Sequence, residues 1–154
     1  AAGEGEEEAW RLSRAWFDTM LRNYIAKGAR QRVAWHRAQG HHVVIVSAAT
    51  PYAVDPVAVE LGLGKAYLAT RLEVVAGRFT GKVCQPACHG AGKLLLAQSY
   101  AGEHGLDLTA SYFYTDSHHD IPLLEAVKHP IAVNPNRRLA SIAAQRKWPV
   151  MRFY

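Results

Sequence analysis

Three short apolar runs, VVIV (43–46), YFYT (112–115) and PIAV (130–133), are each followed by a segment with helical character. Runs of this length, apolar without alternation, suit strands covered on both faces, as in a parallel sheet. A parallel neighbour is reached only through a crossover, usually a helix. The intervening segments supply candidates. Residues 4–27 predict a helix, with Trp10, Phe17, Leu21 and Tyr24 at helical spacing and glutamates at its start. A second helix is expected over 29–39, stopped by Gly40. After the strand at 42–46, Asp55-Pro56 reads as an N-cap with proline at the first helical position, opening a helix through Leu61. Residues 70–83 predict a hairpin turning at Ala76-Gly77. Helices follow at 90–104, from Pro122, and at 137–147; strands are expected at 112–115, 130–134 and within PVMRFY. The alternation predicts an α/β domain with a mainly parallel sheet.

The 154 residues suffice for one domain with its own core. No apolar run approaches the roughly 20 residues of a membrane span. AAGEGEEE lacks the basic n-region of a signal peptide, and the chain does not begin with Met, as expected of a processed protein or a fragment. Four of the 13 acids crowd the first eight positions, so the rest of the chain sets 18 basic residues against nine acidic ones. That balance favours anionic partners. A nucleic-acid-binding domain is a third-ranked reading, because no helix-turn-helix, zinc finger or RNA-binding strand motif supports it. Cys84 and Cys88 are too few for a disulfide framework, and C-x3-C followed by His89 lacks the second cysteine pair of a zinc knuckle. Reduced thiols and a cytoplasmic location are expected.

In open parallel sheets, ligands bind beyond the carboxyl ends of the strands. Ser47 ends the VVIV strand, Asp116 ends YFYT with Asp120 on the next turn, and Lys93 opens a helix after the glycine-rich HGAG. Together these suit a phosphoryl group with Mg²⁺. The cation takes hard oxygen ligands, which Asp116 and Asp120 supply. Ser47 can donate to phosphate oxygens, and Lys93 can offset the remaining negative charge. Each has a plainer role open to it: Ser47 as a turn residue, Asp116 as a helix cap, Lys93 as a surface lysine.

VVIVSAAT, GAGKLLL and YTDSHHDIPLLEAV resemble the second, third and fourth motifs of the haloacid dehalogenase-like phosphatase superfamily, in its phosphoserine-phosphatase-like subgroup. GRFTGKVCQPACHGAGK and PIAVNPNRRLASIAAQRKWPV are also similar to that subgroup, and the resemblance covers about residues 29–154. It implies a Rossmann-like three-layer fold. It implies a Mg²⁺-dependent phosphomonoesterase of small phosphorylated substrates, with Lys93 and Asp116 in catalysis, Ser47 and Lys93 on the phosphate, and Asp116 and Asp120 on the metal. Members carry a D-x-D nucleophile motif after a central first strand and react through an aspartyl-phosphate. Here the sole early candidate is FDTML, where Asp18 lies in a helical pattern and Met20 stands where the second Asp is needed. The first motif is absent.

The resemblance therefore implies a remnant of a helical cap over 1–28 and a core over 29–154 lacking its first strand. The strands at 43–46 and 112–115 would then flank the missing one, which another segment or chain could supply. A non-catalytic descendant that binds phosphate or a partner is the alternative. His119 stands where relatives commonly carry Asn.

Overall fold

A computed structural model describes residues 2–154; the first residue of the segment expected as a cap remnant lies outside the described residues. The chain forms two compact units, one up to Cys88 and one from His89 onward.

The first unit opens with helix α1 (Glu6–Thr19), whose first turn places three glutamates at the positive end of the helix dipole. Its inner face carries Phe17, 1% exposed, and Trp10, set edge-on against Tyr52 at 4.5 Å. Leu12, Trp16 and Met20, one turn apart along a flank of α1, remain about half exposed. The single helix expected over 4–27 breaks at Met20. A 3-10 turn follows (Leu21–Tyr24), Ile25 is extended, and helix α2 starts at Lys27 and runs to Ala38. Apolar spacing carries across this break because the 3-10 turn keeps a similar pitch, so periodicity alone does not reveal it.

Strand β1 is shorter than expected, Ile45–Val46, because residues 42–44 find no ladder partner. It pairs in parallel with β2 (Tyr67–Leu68), a strand too short to show a pattern in the sequence. Helix α3 (Pro51–Glu60) lies between them. It starts at Thr50-Pro51 and not at Asp55-Pro56, and Pro56 sits inside it. Asp55 does not cap: its carboxylate accepts from Lys65 Nζ at 2.6 Å and Tyr67 Oη at 2.9 Å. Val54, Ala58, Tyr67 and Ala69 form a core with Ile45 and Leu63 against it.

The hairpin forms as expected from β3 (Leu72–Val75) and β4 (Arg78–Val83). Ala76 and Gly77 both have positive φ, the signature of a two-residue turn matched to strand twist. Residues 3–6 line the other side of β4. Gly3 N–H donates to Phe79, Phe79 N–H to Glu4, Glu6 N–H to Gly77, and Arg78 reaches the Gly3 carbonyl.

In the second unit, helix α4 (Ala91–Glu103) precedes three parallel strands in the order β5 (Tyr112–Thr115), β6 (His129–Val133), β7 (Val150–Met151). Helices α5 (Ile121–Leu124) and α6 (Arg137–Arg146) provide the crossovers. Leu124, Ala132, Leu139 and Ala143 make the core, with Phe113, Ile121 and Trp148 packed on it. α6 is capped by the Asn136 side chain, which accepts from Leu139 N–H at 2.9 Å, and ends at Lys147 in the left-handed region.

The α/β class and parallel pairing are as expected, and among the described residues the parallel strands lie in two separate sheets. Among the described residues, β1 has β2 as its one ladder partner and β5 has β6, so each is an edge of its own sheet.

Candidate functional site

β5 is four residues of β-favouring side chains, and the chain leaves the strand at Asp116. Two local devices shape the turn. Ser117 accepts from His119 N–H at 3.2 Å, and Thr115 Oγ1 accepts from Ser117 N–H at 3.2 Å. The resulting 3-10 turn (His118–Asp120) carries Asp120 back under the strand end, where it is 4% exposed. Asp116 stays outside and exposed. Its backbone carbonyl accepts from Asn136 N–H at 2.9 Å, which ties the end of β5 to the start of α6.

Lys93 lies in the first turn of α4, just after Gly90, whose φ of 54° admits the chain into the helix. The lysine is 8% exposed, and its Nζ sits 3.0 and 3.1 Å from the two oxygens of Asp120. Thr115 Oγ1 donates to Asp120 Oδ2 at 2.6 Å. Burying an ammonium and a carboxylate is costly unless they are paired and hydrogen-bonded, and here both conditions hold.

The two aspartates are thus placed differently. Asp120 is committed to Lys93 and Thr115. The Asp116 carboxylate makes no hydrogen bond or ion pair among the described residues, leaving hard oxygen donors open at a strand end. Carboxylate oxygens are the donors a small divalent cation takes, but the described residues contain no group of three or more His, Cys, Asp or Glu side chains placed to hold one.

Ser47 belongs to the first unit. Its N–H donates to Leu68, continuing the β1–β2 ladder, and its Oγ accepts from Ala49 N–H at 3.1 Å. This is the local turn bond open to a serine after a strand, and it leaves the hydroxyl proton available. Asp18 is exposed on α1 and pairs with Arg22 at 2.8 Å, the helix-surface role expected of it.

A family model of haloacid dehalogenase-like hydrolases matches residues 2–125. The chain belongs to that family. Over 125 residues it is 42% identical to a probable phosphatase of Mycobacterium tuberculosis, covering 81% of this chain and 43% of the relative. Over 152 residues it is 35% identical to a phosphoserine phosphatase of the same organism, covering 98% of this chain and 49% of that one. The chain spans about half the length of these curated relatives. Among solved structures, a Bordetella pertussis protein of unknown function superposes with a TM-score of 0.91 at 31% identity, over 98% of this chain and 69% of its own. The recognised haloacid dehalogenase-like resemblance thus agrees with both the family match and the fold.

Two participants escape a reading of the sequence. Thr115 reads as a strand former, and only its position just before the aspartate hints that its hydroxyl could turn inward. Asn136 caps α6. Its backbone and Nδ2 contacts join segments far apart in sequence, so no local pattern signals them.

Proposed function

We propose that this chain is the larger part of the core of a Mg²⁺-dependent phosphomonoester hydrolase acting on a small phosphorylated substrate. The carrying observation is the buried Lys93–Asp120–Thr115 group beside the open carboxylate of Asp116. In this reading Asp116 holds the cation directly. Asp120 reaches it through water while fixing Lys93, whose ammonium faces the phosphate. Ser47, in the first unit, keeps a hydroxyl proton to donate to a phosphate oxygen. Mg²⁺, when bound, neutralises charge on the phosphoryl oxygens. The names of the relatives support the phosphatase class, and the haloacid dehalogenase-like family membership supports the aspartyl-phosphate route.

The attacking carboxylate of that route has no counterpart in this sequence. Residues 1–28 are read as a cap remnant and 29–154 as the core, with the first strand supplied by another segment or chain; the single-partner edges of β1 and β5 are consistent with this. Reduced Cys84 and Cys88 accord with a cytoplasmic setting. No helix among the described residues is long and apolar enough to cross a membrane.

The test is turnover of an aryl phosphate with Mg²⁺. Residues 1–154 alone should be inert, and a polypeptide extended by an upstream D-x-D strand should be active. Activity of the 154-residue chain by itself would overturn the missing-nucleophile reading. Phosphate binding without turnover in the extended form would favour the non-catalytic descendant.

A further inference from the structure

Thr115 closes β5 and is 9% exposed. Its register partner on β6 is Ala132, which offers no side-chain polar atom. The hydroxyl is fully used. Its oxygen accepts from Ser117 N–H at 3.2 Å, and its one proton goes to Asp120 Oδ2 at 2.6 Å. A β-branched side chain has little freedom at χ1, so the hydroxyl keeps that direction.

Asp120 has a second use open to it. It stands at the N-cap of α5, where an aspartate ordinarily accepts a backbone N–H from the first turn. Pro122 has no N–H to give, so the local donor is Leu123. Asp120 makes no capping bond. Its carboxylate is turned to Lys93 instead, with Nζ 3.0 and 3.1 Å from its two oxygens. Thr115 holds one of those oxygens.

The Lys93 ammonium carries three N–H donors, and Asp120 offers it two oxygens. Asp120 is the partner of that ammonium among the described residues. At least one N–H is therefore left over. Because the ammonium is tetrahedral, the direction of that N–H follows from the plane in which the Asp120 carboxylate is held.

We propose that Thr115 is a positioning residue for Lys93. Its hydroxyl keeps Asp120 off the α5 cap, fixes the carboxylate plane, and so sets where the remaining N–H of Lys93 points. The consequence for a ligand rests on the phosphatase reading: that N–H is the one that meets a phosphoryl oxygen. The order of the ammonium can be measured apart from any ligand.

The test is NMR on the full 154-residue chain. The wild type should show a Lys93 ammonium signal of restricted motion and a Thr115 hydroxyl proton protected from exchange with water. Thr115→Val removes the hydroxyl at nearly constant shape. It should mobilise the ammonium, shift the Leu123 amide as Asp120 falls back to the cap, and weaken binding of inorganic phosphate about tenfold, the worth of one hydrogen bond to a charged group. Thr115→Ser restores the donor and should return most of both losses. A role confined to the 118–120 turn would disturb the amides of that turn and leave the ammonium untouched. An unchanged Lys93 signal in the Val variant, or phosphate bound equally by the two chains, would overturn the proposal and leave the phosphate site standing. Should that variant not fold, the wild type decides: a protected Thr115 hydroxyl proton supports the proposal, and one exchanging as freely as an exposed threonine's overturns it. An ordered ammonium that depends on Thr115, in a chain that binds no phosphate, would uphold the positioning role and remove the phosphatase reading instead.

Discussion

The two units bury different things. The second unit encloses its apolar core and also a charged pair, with Lys93 and Asp120 both under a tenth exposed and every buried side-chain polar atom partnered among the described residues. The first unit leaves large apolar groups outside. Leu12, Trp16 and Met20 run along one flank of α1, and Tyr24 lies beyond them. In the second unit the exposed large apolar residues are the scattered Leu95, Leu106, Val150 and Tyr154. Single exposed apolar residues need no explanation, but an aligned set marks a surface built to be covered. The second unit thus encloses a charged pair within its packing, whereas the first leaves an aligned apolar flank outside.

The sharpest way to break this contrast is to remove half of the buried pair. Asp120→Ala should destabilise the second unit by about 3–5 kcal/mol, because Lys93 is left buried without its counter-charge. The measure is hydrogen exchange resolved by unit. Asp120→Leu combined with Lys93→Met should recover much of that loss; if it does not, the pair is not the cause. Next in size, Phe17→Ala should cost about 3–5 kcal/mol in the first unit, while Trp16→Gln, one position away on the uncovered flank, should change stability by less than about 0.5 kcal/mol. Equal costs would mean that the flank is not a free face.

The third prediction concerns acid. His36 is buried on α2 with its Nδ1 2.8 Å from that of His41 and its ring against Trp35. Burial first, then Arg32 and His41, pull its pKa down to about 4. The unfolded chain binds the proton near pH 6.5, before the fold does. The stability contributed by neutral His36 is therefore complete above that pH and falls progressively toward pH 4. Trp35 fluorescence should report earlier opening of the first unit on acidification, and His36→Phe should flatten the response. The smallest effect on stability belongs to Asp116→Ala, which should leave unfolding unchanged within about 0.5 kcal/mol yet abolish Mg²⁺ binding by calorimetry. Undiminished Mg²⁺ affinity would remove Asp116 from the metal site.

What was legible in the sequence is what is decided locally. Ala76-Gly77 announces its turn because two consecutive positive φ angles suit few residue pairs. YFYT followed by Asp marks a strand end, because the strand, the turn and the acid are contiguous. The misreadings arise where a distant partner decides. β1 is cut to Ile45–Val46 by the length of β2, which lies some twenty residues away and shows no periodicity. Pro51 and Pro56 are equally good helix openers on local grounds, and Asp55 is drawn off by Lys65 and Tyr67. At the site, Lys93 and Asp120 were placed at the right punctuation. That Asp120 would bind the lysine and lie buried while Asp116 stayed open depends on the fold of the 3-10 turn, to which Thr115 contributes a hydroxyl that the sequence presents as one more β-branched side chain.

The hydrogen bonds between residues 3–6 and the outer side of β4 have a consequence in time. The contact of Arg78 with the Gly3 carbonyl joins residues 75 apart. Closing a loop of that length costs entropy that no nearby contact returns, so such pairings form late. During synthesis, residues 3–6 leave the ribosome long before their partners at 77–79 exist. They must wait, with the exposed flank of α1 just behind them, until the hairpin has emerged. The first unit is thus completed by the return of its earliest residues to its last strand, and the interval before that return is when its uncovered apolar face is most open to a wrong partner.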